Sequence, residues 1–113
     1  FTDKKIAEIL NFIDFNLLEP EKLTVGYLSQ KFNISKNYFS EYFKRNTSQK
    51  FQDYLICSKL RIAGARAKFT DVSFQEIASE LGFTDSSHLN RMMKKYTGKG
   101  MRETRKEIQN NRN

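Results

Sequence analysis

The sequence has few of the residues from which most metal sites and catalytic sites are built. It contains one cysteine, Cys57, one histidine, His88, and one proline among 113 residues. A single cysteine excludes an internal disulfide and any multi-cysteine metal site. A single histidine makes a histidine-ligated zinc or a histidine-based triad a poor candidate. Since a glycine-rich phosphate loop and a base–nucleophile pair are also missing, we expect no enzyme activity and no cofactor.

Long apolar runs and flexible linkers are missing as well. No apolar run approaches the ~18 residues that indicate a membrane-spanning helix, and no stretch is rich in Gly, Ser or Pro. Leu, Ile, Val and Phe nevertheless make up about a quarter of the chain, which is enough to build a folded core. The composition is that of a soluble basic domain, which we expect in the cytoplasm and without a membrane partner.

The positive charge is concentrated at one end. The formal net charge of +7 divides into +1 over residues 1–47, zero over 48–90 and +6 over 91–113. A basic end on a small domain suggests an anionic partner, either nucleic acid or an anionic membrane surface. On charge alone, a solvated basic tail explains the pattern equally well.

Apolar residues recur at helical spacing along nearly the whole chain, and no strand pattern is visible, so the fold class is all-α. A long helix is expected from about Ser48 to Phe69, and a last, weaker one from Met101 to about Gln109. The long helix is apolar on two sides, which predicts packing partners on both. Its two stripes are Phe51, Leu55, Ile62, Ala65 and Phe69, and Ile56, Leu60, Ala63 and Ala67.

The second half of the chain repeats the first. With a shift of 49 residues, Leu28, Ser29 and Asn33 fall on Ile77, Ala78 and Gly82; with a shift of 50, Phe43 and Ser48 fall on Met93 and Gly98. Each copy reads as a short helix, a tight turn and a second helix. Thr24 and Ser35 are the expected N-caps in the first copy, and Ser73-x-x-Glu76 is a capping box in the second.

The long helix sets a distance between the two copies. About 20 helical residues span roughly 30 Å, and successive major grooves on one face of B-DNA recur every ~34–36 Å. We therefore expect a single chain to reach two adjacent major grooves as a monomer.

The second copy has a recognisable pattern of polar, glycine and aromatic positions. It runs from Ser73-Phe74-x-Glu76-Ile77-Ala78 through Gly82-Phe83-Thr84-Asp85-Ser86-Ser87-His88-Leu89 to Arg91, Lys94, Lys95 and Gly98. With Tyr54-Leu55 and Lys59-Leu60-x-x-Ala63 in the long helix, it resembles the DNA-binding domain of AraC/XylS-family bacterial transcription regulators. The resemblance covers about residues 6–106.

The resemblance implies about seven helices in two helix-turn-helix subdomains, residues 1–47 and 70–113, joined by a linking helix over 48–69. It also implies sequence-specific binding to double-stranded DNA, transcription regulation, and RNA polymerase as a partner. The chain starts at what reads as a helix start, Thr2-Asp3, and not at a methionine. We therefore expect a domain excised from a longer regulator whose effector-sensing domain lies outside this chain.

Several positions depart from the family pattern. Ser48 replaces a glycine, and Gly100-Met101 stands where Thr-Pro is frequent, which puts the last helix in question. Arg66 stands where the family prefers leucine, which predicts a looser or more exposed end of the linking helix.

The candidate DNA-contacting residues are the outward-facing positions of the second helix in each copy and the basic residues that follow them. The alternative for each group is a plain solvated helix face. Tyr38 either contacts phosphate or packs at the rim, and His88 either donates to phosphate or packs beside Leu89. Asp85 is expected to be a helix cap, and Arg91 is the best candidate for a guanine or phosphate contact. The candidates are Lys36, Asn37, Tyr38, Ser40, Glu41, Lys44 and Arg45, and Ser86, Ser87, His88, Asn90, Arg91, Lys94 and Lys95.

A second function class remains open beside DNA binding. A non-catalytic helical module that binds an anionic surface or a protein partner has the same composition and charge. Cys57 is expected to face the interior of the linking helix, and Met92 and Met93 are expected in the core.

Overall fold

The computed structural model describes the backbone of residues 3–111 and the side chains of residues 3–107. Over that range the chain forms seven α-helices and one short 3-10 helix, Pro20–Lys22, and contains no strand. The helices are α1 (Lys4–Phe15), α2 (Val25–Lys31), α3 (Lys36–Thr47), α4 (Phe51–Phe69), α5 (Phe74–Leu81), α6 (Ser86–Thr97) and α7 (Met101–Asn111). The predicted all-α class and the number of helices are confirmed, including the last helix, which the departure at Gly100 had put in question.

The chain divides into two compact units, Phe1–Leu55 and Ile56–Asn113. In unit 1, helices α1 and α2 both pack against α3. Phe51 meets the Phe39 ring edge-on at 5.3 Å between centroids and the Phe43 ring at 5.5 Å. All three phenylalanines are buried, so the start of α4 completes the core under α3.

The helix N-termini in unit 1 follow the sequence with one exception. Asp3 caps α1 and also accepts a 2.6 Å hydrogen bond from the Tyr42 hydroxyl, which lowers the pKa of the Asp3 carboxyl. Thr24 caps α2 through its hydroxyl, as predicted. Ser35 occupies the N-cap position of α3, but its side chain makes no capping hydrogen bond, so the expected side-chain cap is wrong there.

In unit 2, one apolar cluster joins the four helices. It contains Leu60, Ala63 and Ala67 of α4, Ile77, Ala78 and Leu81 of α5, Leu89 and Met93 of α6, and Met101 of α7. Met93 is buried in this cluster, which confirms its assignment to the core, whereas Met92 is half-buried and packs against it.

The repeat is visible at the level of single hydrogen bonds. Ile34 donates its backbone N–H to the Ser29 carbonyl at 2.9 Å, and Phe83 donates to the Ala78 carbonyl at 2.9 Å. Asn33 and Gly82, one residue earlier in each turn, both have positive φ, 55° and 80°. This conformation suits glycine and asparagine best, and the shift of 49 residues brings the two positive-φ positions and the two hydrogen bonds into register.

The second helix of each copy also ends in the same way. Ser48 and Gly98 are both C-caps with left-handed φ, 63° and 87°. One residue earlier, the Thr47 and Thr97 hydroxyls donate to the carbonyls of Phe43 and Met93. This turn takes the chain out of the helix, and for that reason α4 begins at Phe51 rather than near Ser48.

Three expectations about the long helix need correction. Ala65 is exposed and Phe69 is 69% exposed, so the end of the first apolar stripe has no packing partner within unit 2. Arg66 is half-buried rather than loose, because its guanidinium forms an ion pair with Glu80 of α5. Cys57 is half-buried, so the expectation that it faces the interior is met only in part.

Candidate nucleic-acid interface

Helix α3 presents one polar face to solvent on the side opposite its buried phenylalanines. Because Phe39 and Phe43 are fully buried, helical periodicity turns the intervening positions outward. All seven candidate residues of this helix are exposed: Lys36, Asn37, Tyr38, Ser40, Glu41, Lys44 and Arg45.

Three of these residues are already in contact with one another. The Arg45 guanidinium donates to the Glu41 carboxylate at 2.9 Å and to the Tyr38 hydroxyl at 3.1 Å. The pair of charges is close to two-thirds exposed, so it is worth little to stability. Lys36, Asn37, Ser40 and Lys44 make no hydrogen bond or ion pair with any described residue.

The first turn of α6 is fixed by its cap. The Asp85 carboxylate accepts a 2.8 Å hydrogen bond from the backbone N–H of His88, which confirms the expected capping role. Ser86 and Ser87 are the first two residues of the helix, so they lie at its positive end. Ser87 is exposed and Ser86 is half-buried. Hydroxyls at this position suit phosphate oxygens or base edges.

The His88 ring packs within the fold, but on a different residue from the one that the sequence suggested. Its ring is half-buried and packs edge-on against Phe83, not Leu89, with 5.4 Å between ring centroids. Its Nδ1 accepts a hydrogen bond from the Thr84 backbone N–H at 3.3 Å. With Nδ1 engaged in this way, Nε2 is the ring nitrogen that has no partner among the described residues.

Asn90 has a structural partner that the sequence pattern did not indicate. Its side-chain carbonyl accepts a 2.8 Å hydrogen bond from the Met101 backbone N–H at the start of α7. The carboxamide thus caps α7 from a neighbouring helix. The signal was present at Gly100, which provides no hydroxyl where a capping threonine is frequent, but only the folded chain shows which residue replaces it.

The basic residues of α6 are the most exposed part of this face. Arg91, Lys94 and Lys95 are all exposed. Lys95 lies over the Tyr96 ring, 5.5 Å from its centroid, whereas Arg91 and Lys94 have no hydrogen bond or ion pair within the described chain. Arg91 is therefore available for an external anion or base edge.

Neither a metal site nor a membrane-spanning element is found in the part of the chain that the structure describes. No three His, Cys, Asp or Glu residues gather there to hold a metal ion. Among the same residues, no helix has the length and apolar character needed to cross a bilayer.

Each of the two copies consists of a helix, a turn and a second helix with an exposed polar face. This arrangement is characteristic of helix-turn-helix DNA-binding domains. A family model described as a helix-turn-helix domain matches residues 28–107. The chain belongs to this family, in its AraC type, which is the family of DNA-binding domains of bacterial transcription regulators.

Individual relatives and solved structures agree with this assignment. The chain is 30% identical over 89 residues to the Msm operon regulatory protein of Streptococcus mutans, a match that covers 79% of this chain but 32% of that protein. It is 30% identical to the C-terminal domain of a response regulator, yesN, from Fusobacterium nucleatum, with a TM-score of 0.79 and coverage of 88% and 95%. The DNA-binding domain of AdpA, solved with a target DNA, shares the fold with a TM-score of 0.85 at 21% identity, covering 97% of each chain.

Proposed function

We propose that the chain binds double-stranded DNA sequence-specifically as a monomer, with α3 and α6 as recognition helices in two successive major grooves. The observation that carries the proposal is the duplicated unit, in which hydrogen bonds at equivalent positions fix two turns and two exposed second helices. Seven residues of α3 and seven of α6 provide the candidate contacts. Serine, asparagine and arginine side chains suit base edges, and lysines suit phosphates.

The proposed function is non-catalytic and needs no cofactor. The relatives support a role within a larger regulator. The chain spans about a third of the length of the Msm regulator, and a smaller share of the length of the two relatives that follow it. We extend the proposal to an effector-sensing segment outside this chain, to RNA polymerase as a partner, and to a cytoplasmic location.

The test is selection of bound duplexes from a random pool, followed by footprinting on the selected site. We expect an asymmetric site protected in two patches about one helical turn apart on one face of the duplex, at one protein per site. Excess competitor DNA of random sequence should not displace the protein from that site. Binding that does not distinguish sequences would instead favour an interaction module for anionic surfaces, and a palindromic site occupied by two chains would contradict monomeric binding.

A further inference from the structure

Several basic side chains of unit 2 already have partners within the chain. The Arg66 guanidinium pairs with Glu80, and Lys68 and Lys99 both pair with Glu107. Arg105 donates to the backbone carbonyls of Ala67 and Val72 and lies over a phenylalanine ring. An external anion would have to compete with these partners inside the chain.

A smaller set of cations is exposed and uncommitted. Lys94 of α6 and Arg102 and Lys106 of α7 are exposed and make no hydrogen bond or ion pair with any described residue. All three line one groove of about 580 Å³ between α6 and α7. Ser86 and Ser87, from the first turn of the candidate recognition helix, line the same groove, so it opens beside the surface proposed to meet DNA.

The wall of this groove is held in place by a specific contact. The Asn90 carbonyl accepts from the Met101 N–H, which ties the start of α7 to the middle of α6. A Cβ at Gly100 would lie 2.6 Å from the Asn90 oxygen, so a larger residue there would push the Asn90 side chain away from this hydrogen bond. Arg102 and Lys106 are one helical turn apart and therefore extend from the same face of α7.

The groove has a net positive charge, which favours an anionic ligand. Three cations face one acid, Glu103, in a lining that also provides two hydroxyl groups. A phosphodiester offers the oxygen acceptors that these donors match, with arginine able to bind two oxygens at once. We propose that the groove between α6 and α7 binds backbone phosphates of DNA, with Arg102 and Lys106 as contacts beyond the recognition helices. This inference rests on the proposed function.

The experiment compares two double variants that remove the same charge. Arg102→Ala/Lys106→Ala removes two cations that line the groove, whereas Lys68→Ala/Lys99→Ala removes two cations that are paired with Glu107 outside it. Binding to a selected site and to a random duplex is measured at several salt concentrations, and far-UV circular dichroism checks helicity.

The slope of log K against log salt should become shallower by about 0.9 for each phosphate that the groove variant no longer binds. This corresponds to about a fivefold weaker affinity per phosphate near 0.15 M salt, about equal on the selected and random duplexes. The control variant should keep a slope close to the parent's. Glu103→Gln should change affinity in the opposite direction, because it removes the one acid of the groove.

The outcomes separate this inference from the proposed function. If the parent binds DNA but the groove variant and the control behave alike, the phosphate site is wrong while DNA binding stands. If the groove variant binds more weakly only to the selected duplex, with an unchanged slope, a base contact replaces the proposed phosphate contact. If the parent itself binds no duplex, both proposals fail.

Discussion

Neighbouring side chains on α6 have different tasks because each points in its own direction. His88 packs against Phe83, Asn90 caps α7, and Arg91, the next residue, extends into solvent. Successive positions on a helix are about 100° apart, so adjacent residues contact different surroundings. Arg91 is therefore the position at which an exchange tests binding with the least effect on the fold.

We expect Arg91→Ala to weaken specific binding without a change in helicity. A bidentate base contact is worth ~1–3 kcal/mol, so the affinity for the selected site should fall by about 5- to 150-fold. Binding to random DNA should change much less if Arg91 contacts a base. Titrations on both duplexes at two salt concentrations make the distinction, because a phosphate contact affects both duplexes equally and lowers the salt slope by about one. An unchanged affinity on both would mean that α6 does not enter the groove.

Ser29 places a polar atom where its repeat partner has none. Its hydroxyl oxygen is buried without a hydrogen-bond partner among the described residues, and the equivalent position in the second copy is Ala78. Both side chains are small because the two helices of each helix–turn–helix copy cross closely at this position. The hydroxyl adds a desolvation cost that the alanine avoids.

Ser29→Ala should therefore raise the free energy of unfolding, by about 1 kcal/mol. Ala78→Ser is the matched control, and it should lower the free energy of unfolding by a similar amount. Urea denaturation followed by circular dichroism measures both. A loss of stability in Ser29→Ala would show that the hydroxyl has a partner, such as a bound water.

At the scale of elements, the short turns of the two copies are equivalent but the flanking helices are anchored differently. Helix α3 follows a serine that makes no side-chain cap, whereas α6 follows Asp85, which does. Helix α7 depends on a cap from α6 instead of one from its own chain neighbours. The Asn90 side chain thus links the start of α7 to α6.

This dependence predicts a coupled pair of substitutions. Gly100→Ala should lower the free energy of unfolding by about 1–2 kcal/mol, because the new Cβ displaces the Asn90 amide from its hydrogen bond. In an Asn90→Ala background the same exchange meets no amide and should cost little. A double-mutant cycle by urea denaturation measures the coupling, which we expect to be about 1 kcal/mol or more.

Gly26→Ala is the control for the change in helix propensity. No atom lies within 4 Å of the position of its added Cβ. Alanine should stabilise α2 there by about 0.5–1 kcal/mol.

In the double-mutant cycle, additive effects of the substitutions at Asn90 and Gly100 on the free energy of unfolding would contradict the proposed coupling.

At the scale of the whole molecule, the positive charge that is free to meet an anion is smaller than the total positive charge. The sequence carries a net +7, but ion pairs at Arg45, Arg66, Lys68 and Lys99 remove several cations from the set that is free to meet an anion. Among the described residues of unit 2, the exposed cations without a hydrogen bond or ion pair include Arg91 and Lys94 of α6 and Arg102 and Lys106 of α7. The positive end seen in the sequence is therefore partly structural and partly available for binding.

The salt dependence of binding measures the available part. If about 5–8 phosphates are neutralised, log K should fall against log salt with a slope of about −4 to −7. Fluorescence anisotropy with a labelled duplex at a series of salt concentrations gives the slope. A slope near zero would point to a partner other than nucleic acid.

Local patterns in the chain are enough to predict the helices, the two turns and their repetition. Helical spacing, capping residues such as Thr24 and Ser73, and the left-handed positions Asn33 and Gly82 act within a few residues of the chain, so a local pattern is enough to predict them. The exposed faces of α3 and α6 follow from the same periodicity. The candidate contacts on those faces stay predictions until binding is measured.

The tertiary structure alone decided which of those side chains have partners. Asn90 with Met101, Arg66 with Glu80 and Arg105 with Ala67 are pairs separated by 11, 14 and 38 positions, and no local pattern indicates them. Likewise, apolar character shows that Phe69 can be buried but not whether a surface faces it. Partnership across such distances depends on how helices pack, and packing brings residues together that the chain holds apart.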